Sequence, residues 1–335
     1  MGEITKIKVD GEPESSYQLY SRNEEFAKRA AVDPSIFAPA PFKPAGKSYL
    51  TFSSPNSFTL AVRNATKKWD GTIEYFASDK TWTAWDGTTT LSAVADDSEY
   101  LLYLRGTGNR IITGGNTAGI WVISGTNIKC IGNIDNLLDY TTVESGNHPT
   151  MANNCYKYMF QGCTSLISAP ELPATTLADY CYNSMFDGCT ALTQAPALPA
   201  TTLSNGCYSF MFRGCTSLKL SSVKTGEYTQ AYRIPTTGTG TTKNGALTNM
   251  FAFTGGTFTG TPAINTTYYL SSNNMIVRDT EVATLNSYVG SMIDVAIDEY
   301  ADTAEYIIPS STTGSTKKFK ITVDDSGTLT ATEVT

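Results

Sequence analysis

Cys155-Tyr156-Lys157-Tyr158-Met159-Phe160-Gln161-Gly162-Cys163-Thr164-Ser165-Leu166 is met twice more along the chain. It returns as Cys181-Tyr182-Asn183-Ser184-Met185-Phe186-Asp187-Gly188-Cys189-Thr190-Ala191-Leu192 and as Cys207-Tyr208-Ser209-Phe210-Met211-Phe212-Arg213-Gly214-Cys215-Thr216-Ser217-Leu218. The period is 26 residues. Ala-Pro-x-Leu-Pro-Ala-Thr-Thr-Leu links the copies at 169–177 and 195–203. Asn249-Met250-Phe251 is a degenerate echo that follows an insertion rich in Thr and Gly. A fixed period in the twenties marks a solenoid, in which each unit buries its apolar face only against its neighbours. Residues that do not repeat are not needed for stacking and are free to contact a partner. The candidate binding residues are therefore Lys157, Tyr158, Gln161, Asp187, Phe210 and Arg213.

Residues 47–140 read as a small β-sandwich. Phe58 to Val62, Thr72 to Tyr75 and Thr81 to Trp85 alternate apolar with polar, and Tyr100 to Leu104 and Ile120 to Ile123 add further runs. Asp70-Gly71, Asp86-Gly87 and Gly114-Gly115-Asn116 break them as turns. Residues 1–46 read as an anchoring arm and linker. They hold a strand-like run at Ile4 to Val9, a capping box at Ser21-Arg22-Asn23-Glu24 that opens a short helix, and a tract carrying Pro34, Pro39, Pro41 and Pro44. The solenoid takes 141–265, and 266–335 form an assembly module of one helix and one hairpin. Val282, Leu285, Val289, Met292, Ala296 and Tyr300 make the helical seam, whose near-heptad steps point to self-association with a homotrimer as one closed form. Lys318 to Val323 and Leu329 to Thr332 flank the turn signal Asp324-Asp325-Ser326-Gly327. The fold class expected is mainly β: a sandwich, a short solenoid, then a C-terminal helix and β-hairpin.

Composition limits the chemistry. Across 335 residues, 24 Lys and Arg against 31 Asp and Glu leave a net charge of −7, so no basic field draws nucleic acid or anionic lipid. The single histidine, His148, nearly removes His-dependent acid–base catalysis and His-based metal sites. The two cysteines of a copy stand eight residues apart, unlike the two-residue gap of a zinc knuckle, and are expected to be small, reduced core fillers. Asp96-Asp97 and Asp324-Asp325 lie in turn contexts, and no G-x-S-x-G elbow, P-loop or dinucleotide fingerprint occurs. No catalytic residue, metal or cofactor is expected. The first residues carry no apolar run of a secretory signal, and no 18-residue apolar span suggests a membrane helix.

The repeat resembles the BspA-like class of leucine-rich repeats, found in bacterial surface proteins and phage-borne homologues. Three copies agree in seven or more positions between Cys155 and Leu218. The resemblance implies a strand near Leu166–Ala169, a helical or turn segment near Cys155–Gly162, and binding of protein or glycan. The tail from Ser315 to Leu329 looks like the C-terminus of tailed-phage structural proteins, head-fibre-like ones included, and Ile4 to Gly11 is similar to their N-termini. Together these imply a virion-surface appendage without enzymatic activity. Its arm would join other virion proteins, and its displayed face would meet a host-surface glycan or protein. A cell-surface BspA-like adhesin and a carbohydrate-active enzyme are the competing expectations.

Overall fold

A computed structural model describes residues 5–6, 19–20, 42–45, 49–65, 69–96, 98–115, 119–277, 306–309, 318–323 and 329–334. The expected helices after Ser21 and over 279–302, and the turn at 324–327, lie outside them. The chain divides into two compact units, Met1–Val277 and Arg278–Thr335. Both are β in their described parts, apart from one α-helix.

In the first unit β1 (Thr5–Lys6) pairs antiparallel with β2 (Leu19–Tyr20). Alternating sequence then yields β3 (Leu50–Ser54), β4 (Thr59–Val62), β5 (Thr72–Phe76), β6 (Trp82–Ala84), β7 (Leu91–Ser92), β8 (Val94–Asp96), β9 (Glu99–Thr107), β10 (Trp121–Ser124) and β11 (Ile128–Ile131). The alternation works as the pleat requires. In β10, Trp121 and Ile123 are buried opposite Val62 and Leu60 of β4, while Val122 and Ser124 face out. Strands β10, β4 and β7 form one antiparallel sheet, and β11, β3, β9, β5 and β6 belong to a second, with β8 also on β9. Along β9, Leu102 and Leu104 enter the main core, whereas Tyr103 joins an outer cluster with Phe76 and Phe42. The Phe42 ring lies 5.2 Å from Phe76 and 5.8 Å from Tyr103, so this end of the proline-rich linker seals its own sheet. Helix α1 (Asn136–Glu144) packs on β9 at Gly106, where a Cβ would stand 1.8 Å from the Leu137 carbonyl oxygen.

The copies stack. Each presents a short strand, β12 (Leu166–Ser168), β13 (Gln194–Pro196) and β14 (Lys219–Ser221). Next come β15 (Tyr228–Arg233), β16 (Gly255–Gly256), β17 (Thr267–Ser271) and β18 (Met275–Val277). The parallel ladder β11–β12–β13 continues the second sheet, so that sheet crosses residue 140 without a break. The next strand in the ladder is β18 and not β14. Strand β14 turns away to pair with β16 and β17, and β15 completes that second group. Asn274 wedges the fork open: its Oδ1 accepts from the Lys219 N–H (2.9 Å) and its Nδ2 donates to the Ser217 carbonyl (3.0 Å). Residues 267–277, assigned from sequence to the C-terminal module, therefore pair with strands of the stack.

The segments expected as helix or turn are chains of linked turns. Backbone φ is positive at every fourth residue: Asn154, Tyr158 and Gly162; Tyr180, Ser184 and Gly188; Gly206, Phe210 and Gly214; Gly245, Asn249 and Phe253. The last set is the degenerate copy, displaced by the insertion. Successive N–H groups alternate between two acceptors, which leaves the buried amides satisfied. Tyr156, Tyr158, Phe160 and Gly162 donate to Cys181, Asn183, Met185 and Asp187 of the next copy at 2.8–3.0 Å, while Met159 and Gln161 donate three residues back. The second and third copies repeat the scheme, and the third reaches Ala246, Thr248, Met250 and Ala252 of the fourth. Thr113 and Trp121 close the near end through the carbonyls of Cys155 and Met159, and the Gly260 carbonyl closes the far end at Phe251.

Two aromatic columns fill the stack. Tyr156, Tyr182 and Tyr208 lie with centroids 5.5 and 5.9 Å apart and planes within 12°. Phe160, Phe186, Phe212 and Phe251 step by 5.7, 5.6 and 5.5 Å. Near-parallel rings at this separation are offset stacks, which the ring quadrupole favours. Trp121 continues the phenylalanine column edge-on at 6.2 Å, followed by Trp85 and Trp69. These three tryptophans are core residues.

In the second unit β19 (Tyr306–Pro309), β20 (Lys318–Val323) and β21 (Leu329–Val334) form an antiparallel sheet. The pairing of Val323 with Leu329 is the register that the expected hairpin requires.

Candidate binding face

The shared apolar positions of the copies are buried, although the shared Thr164, Thr190 and Thr216 are exposed. The positions that differ lie along the turn runs, where Asn183, Ser184, Asp187 and Ser209 are themselves buried. Met159, Phe160, Cys163 and their counterparts are covered, as are both cysteine columns. The stack brings the six expected residues together in two groups along the turn runs, five of them half-buried and Asp187 buried at 8% exposure. In the first, Gln161 Nε2 donates to Asp187 Oδ2 (2.9 Å), and Arg213 grips the same carboxylate with Nε (2.9 Å) and Nη2. One residue from each of three successive copies thus forms a single polar ladder. Asp187 hydrogen-bonded to the guanidinium raises the Arg213 pKa above its ordinary value, against the opposing effect of burial. The Arg213 Cζ also stands 5.0 Å from the centre of the Phe210 ring. In the second group, the Lys157 ammonium lies 5.0 Å from the Tyr158 ring and 5.3 Å from the Tyr180 ring, within cation–π range.

Sequence reasoning missed Tyr180 and Phe253. They are 43% and 76% exposed, on the same runs. Tyr180 stands where other copies have Asn154, Gly206 and Gly245, and Phe253 where they have Gly162, Gly188 and Gly214. An aromatic residue in a column of glycines was the available signal, hidden for Phe253 by the insertion that shifts the fourth copy.

The other candidate chemistries resolve into structure. All seven cysteines are free and buried. Burial pushes the Cys163 and Cys207 thiols up to about 12, and the others also rise, so they remain protonated and unreactive at neutral pH. Cys163, Cys189 and Cys215 donate through sulfur to the carbonyls of Trp121, Phe160 and Phe186 at 3.0–3.2 Å, tying each copy to the one before. His148 Nδ1 is 3.4 Å from the buried Asp135 carboxylate. Among the described residues no group of three or more His, Cys, Asp or Glu is placed to hold a metal ion. No described helix is long and apolar enough to cross a membrane. No protein-family model, curated protein or solved structure matches the chain.

Proposed function

We propose that this chain is a non-enzymatic surface appendage of a tailed-phage particle, a head fibre or similar decoration, that displays a binding module for a host-surface partner. In this reading residues 47–140 are the small β-sandwich and the stacked copies are a short leucine-rich-repeat solenoid of BspA-like type. The observation that carries it is the division of labour in the repeats. Apolar residues shared by the copies are spent on the core, and Lys157, Tyr158, Gln161, Phe210 and Arg213, which differ between copies, are left half-buried along the turn runs. The phage setting draws support from the two terminal stretches that look like those of tailed-phage structural proteins.

Antibody raised against the full chain is expected to label the surface of purified phage particles in electron micrographs. Particles assembled with a chain lacking residues 1–46 are expected to lose the protein, as read by mass spectrometry. Labelling confined to bacterial cells that carry no phage would overturn the virion assignment in favour of a cell-surface adhesin. Retention of the truncated chain would remove the anchoring role of the arm.

A further inference from the structure

Of the twelve left-handed positions in the four turn runs, five are glycine, two asparagine and one serine. The other four are aromatic: Tyr158, Tyr180, Phe210 and Phe253, at φ of 66°, 58°, 58° and 60°. A bulky side chain is a steric outlier in this region, whereas glycine sits there without penalty. The same turns close with glycine at 162, 188, 206, 214 and 245, so the fold does not ask for rings. All four are at least partly exposed on the turn runs, Tyr180 and Phe253 the most so. Backbone strain held where the architecture does not need it points to a function served by the side chain.

We propose that this row of rings is the platform for a neutral oligosaccharide, a proposal that rests on the reading of the chain as a display module. A pyranose offers an apolar C–H face to an aromatic ring, and hydroxyls around its edge that need donors and acceptors. The turn runs supply both, as Phe210 stands beside the Gln161–Asp187–Arg213 ladder and Tyr158 and Tyr180 flank the Lys157 ammonium. Their charges cancel: over 153–162, 179–188, 205–214 and 244–253 they are Lys157 and Arg213 against Asp179 and Asp187. Both carboxylates are already engaged, Asp187 by Arg213 and Asp179 by Asn205 (3.0 Å), so no field selects an anionic polymer. The copies advance by 5.5–5.9 Å, as their core rings measure, which suits a linear ligand that itself repeats. A protein partner would need a broad patch of about 800 Å² with a continuous apolar centre. Here Ser184 and Asn249 separate the rings in the column of Tyr158 and Phe210, so the rings are placed to meet separate units of a linear chain and make no continuous apolar patch. The neighbouring copy also makes room, as the Tyr180 ring rests on Gly206, where a Cβ would come within 2.4 Å of it.

The test titrates the full chain with neutral and sulfated oligosaccharides of increasing length. Neutral sugars are expected to bind with affinity rising with length. The combined variant Tyr158→Gly, Tyr180→Gly, Phe210→Gly and Phe253→Gly is expected to lose about tenfold or more in affinity. It should melt no lower than the parent, because glycine relieves the backbone at each site. Phe253→Gly alone, at the most exposed ring, is expected to weaken binding in the same direction with the fold intact. Absence of neutral-sugar binding, preference for sulfated sugars, or unchanged affinity of the glycine variants would overturn the proposal. Particles that carry the chain on their surface while it binds no sugar would sink the sugar platform and leave the appendage standing.

Discussion

Tyr182 buries a phenol whose hydroxyl meets no hydrogen-bond partner among the described residues, while its neighbour Tyr156 donates to the Ile134 carbonyl at 3.2 Å. An unsatisfied buried hydroxyl costs about 1–3 kcal/mol, and a satisfied one contributes about 1 kcal/mol. Tyr182→Phe is thus expected to stabilise the chain by about 1 kcal/mol, and Tyr156→Phe to destabilise it by about as much. Urea melts of the two variants, read side by side, check the contrast. The cysteines were legible at this scale, since a small apolar residue repeated in register has a narrow core to fill. The left-handed aromatics were not. Tyr158 and Phe210 appear in sequence only as variable positions, because the sign of φ leaves a trace in composition only where glycine or asparagine takes it.

Each linked-turn run is held by its neighbours, so damage to one column is felt along the stack. Phe186 has a ring on either side, at 5.7 and 5.6 Å, and is fully buried. Phe186→Ala is expected to cost about 3–5 kcal/mol. Denaturant unfolding should show it, with a shallower transition where the copies on either side uncouple. Gly106→Ala drives a methyl into the Leu137 carbonyl and is expected to cost about 1–3 kcal/mol, the usual range for overpacking, read as a lower melting temperature. Strands β4, β5, β6, β9, β10 and β20 were legible from alternation or hairpin signals. Helix α1 was not: only Leu137 and Leu138 are apolar and buried in its first turn, and Asp139, at φ −158°, breaks its regularity. Strand β11 was not read from sequence either, although its four residues alternate buried and exposed and join the two halves of the long sheet.

For the molecule as a whole, the buried thiols and tyrosines set an alkaline limit. A thiol ordinarily titrates near 9.0, and Cys163 and Cys207 do so only at about 12 in the folded chain. Above pH 9 the unfolded chain releases protons that the folded chain keeps, so stability is complete below that value and declines as pH rises toward 12. Melting temperatures between pH 7 and 11 are expected to fall beyond about 9. A variant with Cys163→Ala and Cys207→Ala should show a weaker fall. At this scale sequence was least informative. The period announced a stack, and mainly β character followed from the short alternating runs. That the second copy's strand takes β18 as its neighbour is set by a contact 81 residues away, for which no local pattern exists. That pairing fixes a schedule. As the chain leaves the ribosome, the edge of Gln194–Pro196 waits for Met275–Val277, roughly 4–16 s at ordinary rates of synthesis. Until then it is an open strand edge in a crowded cell, and Pro196 and Pro199, which offer no N–H, stand guard over it.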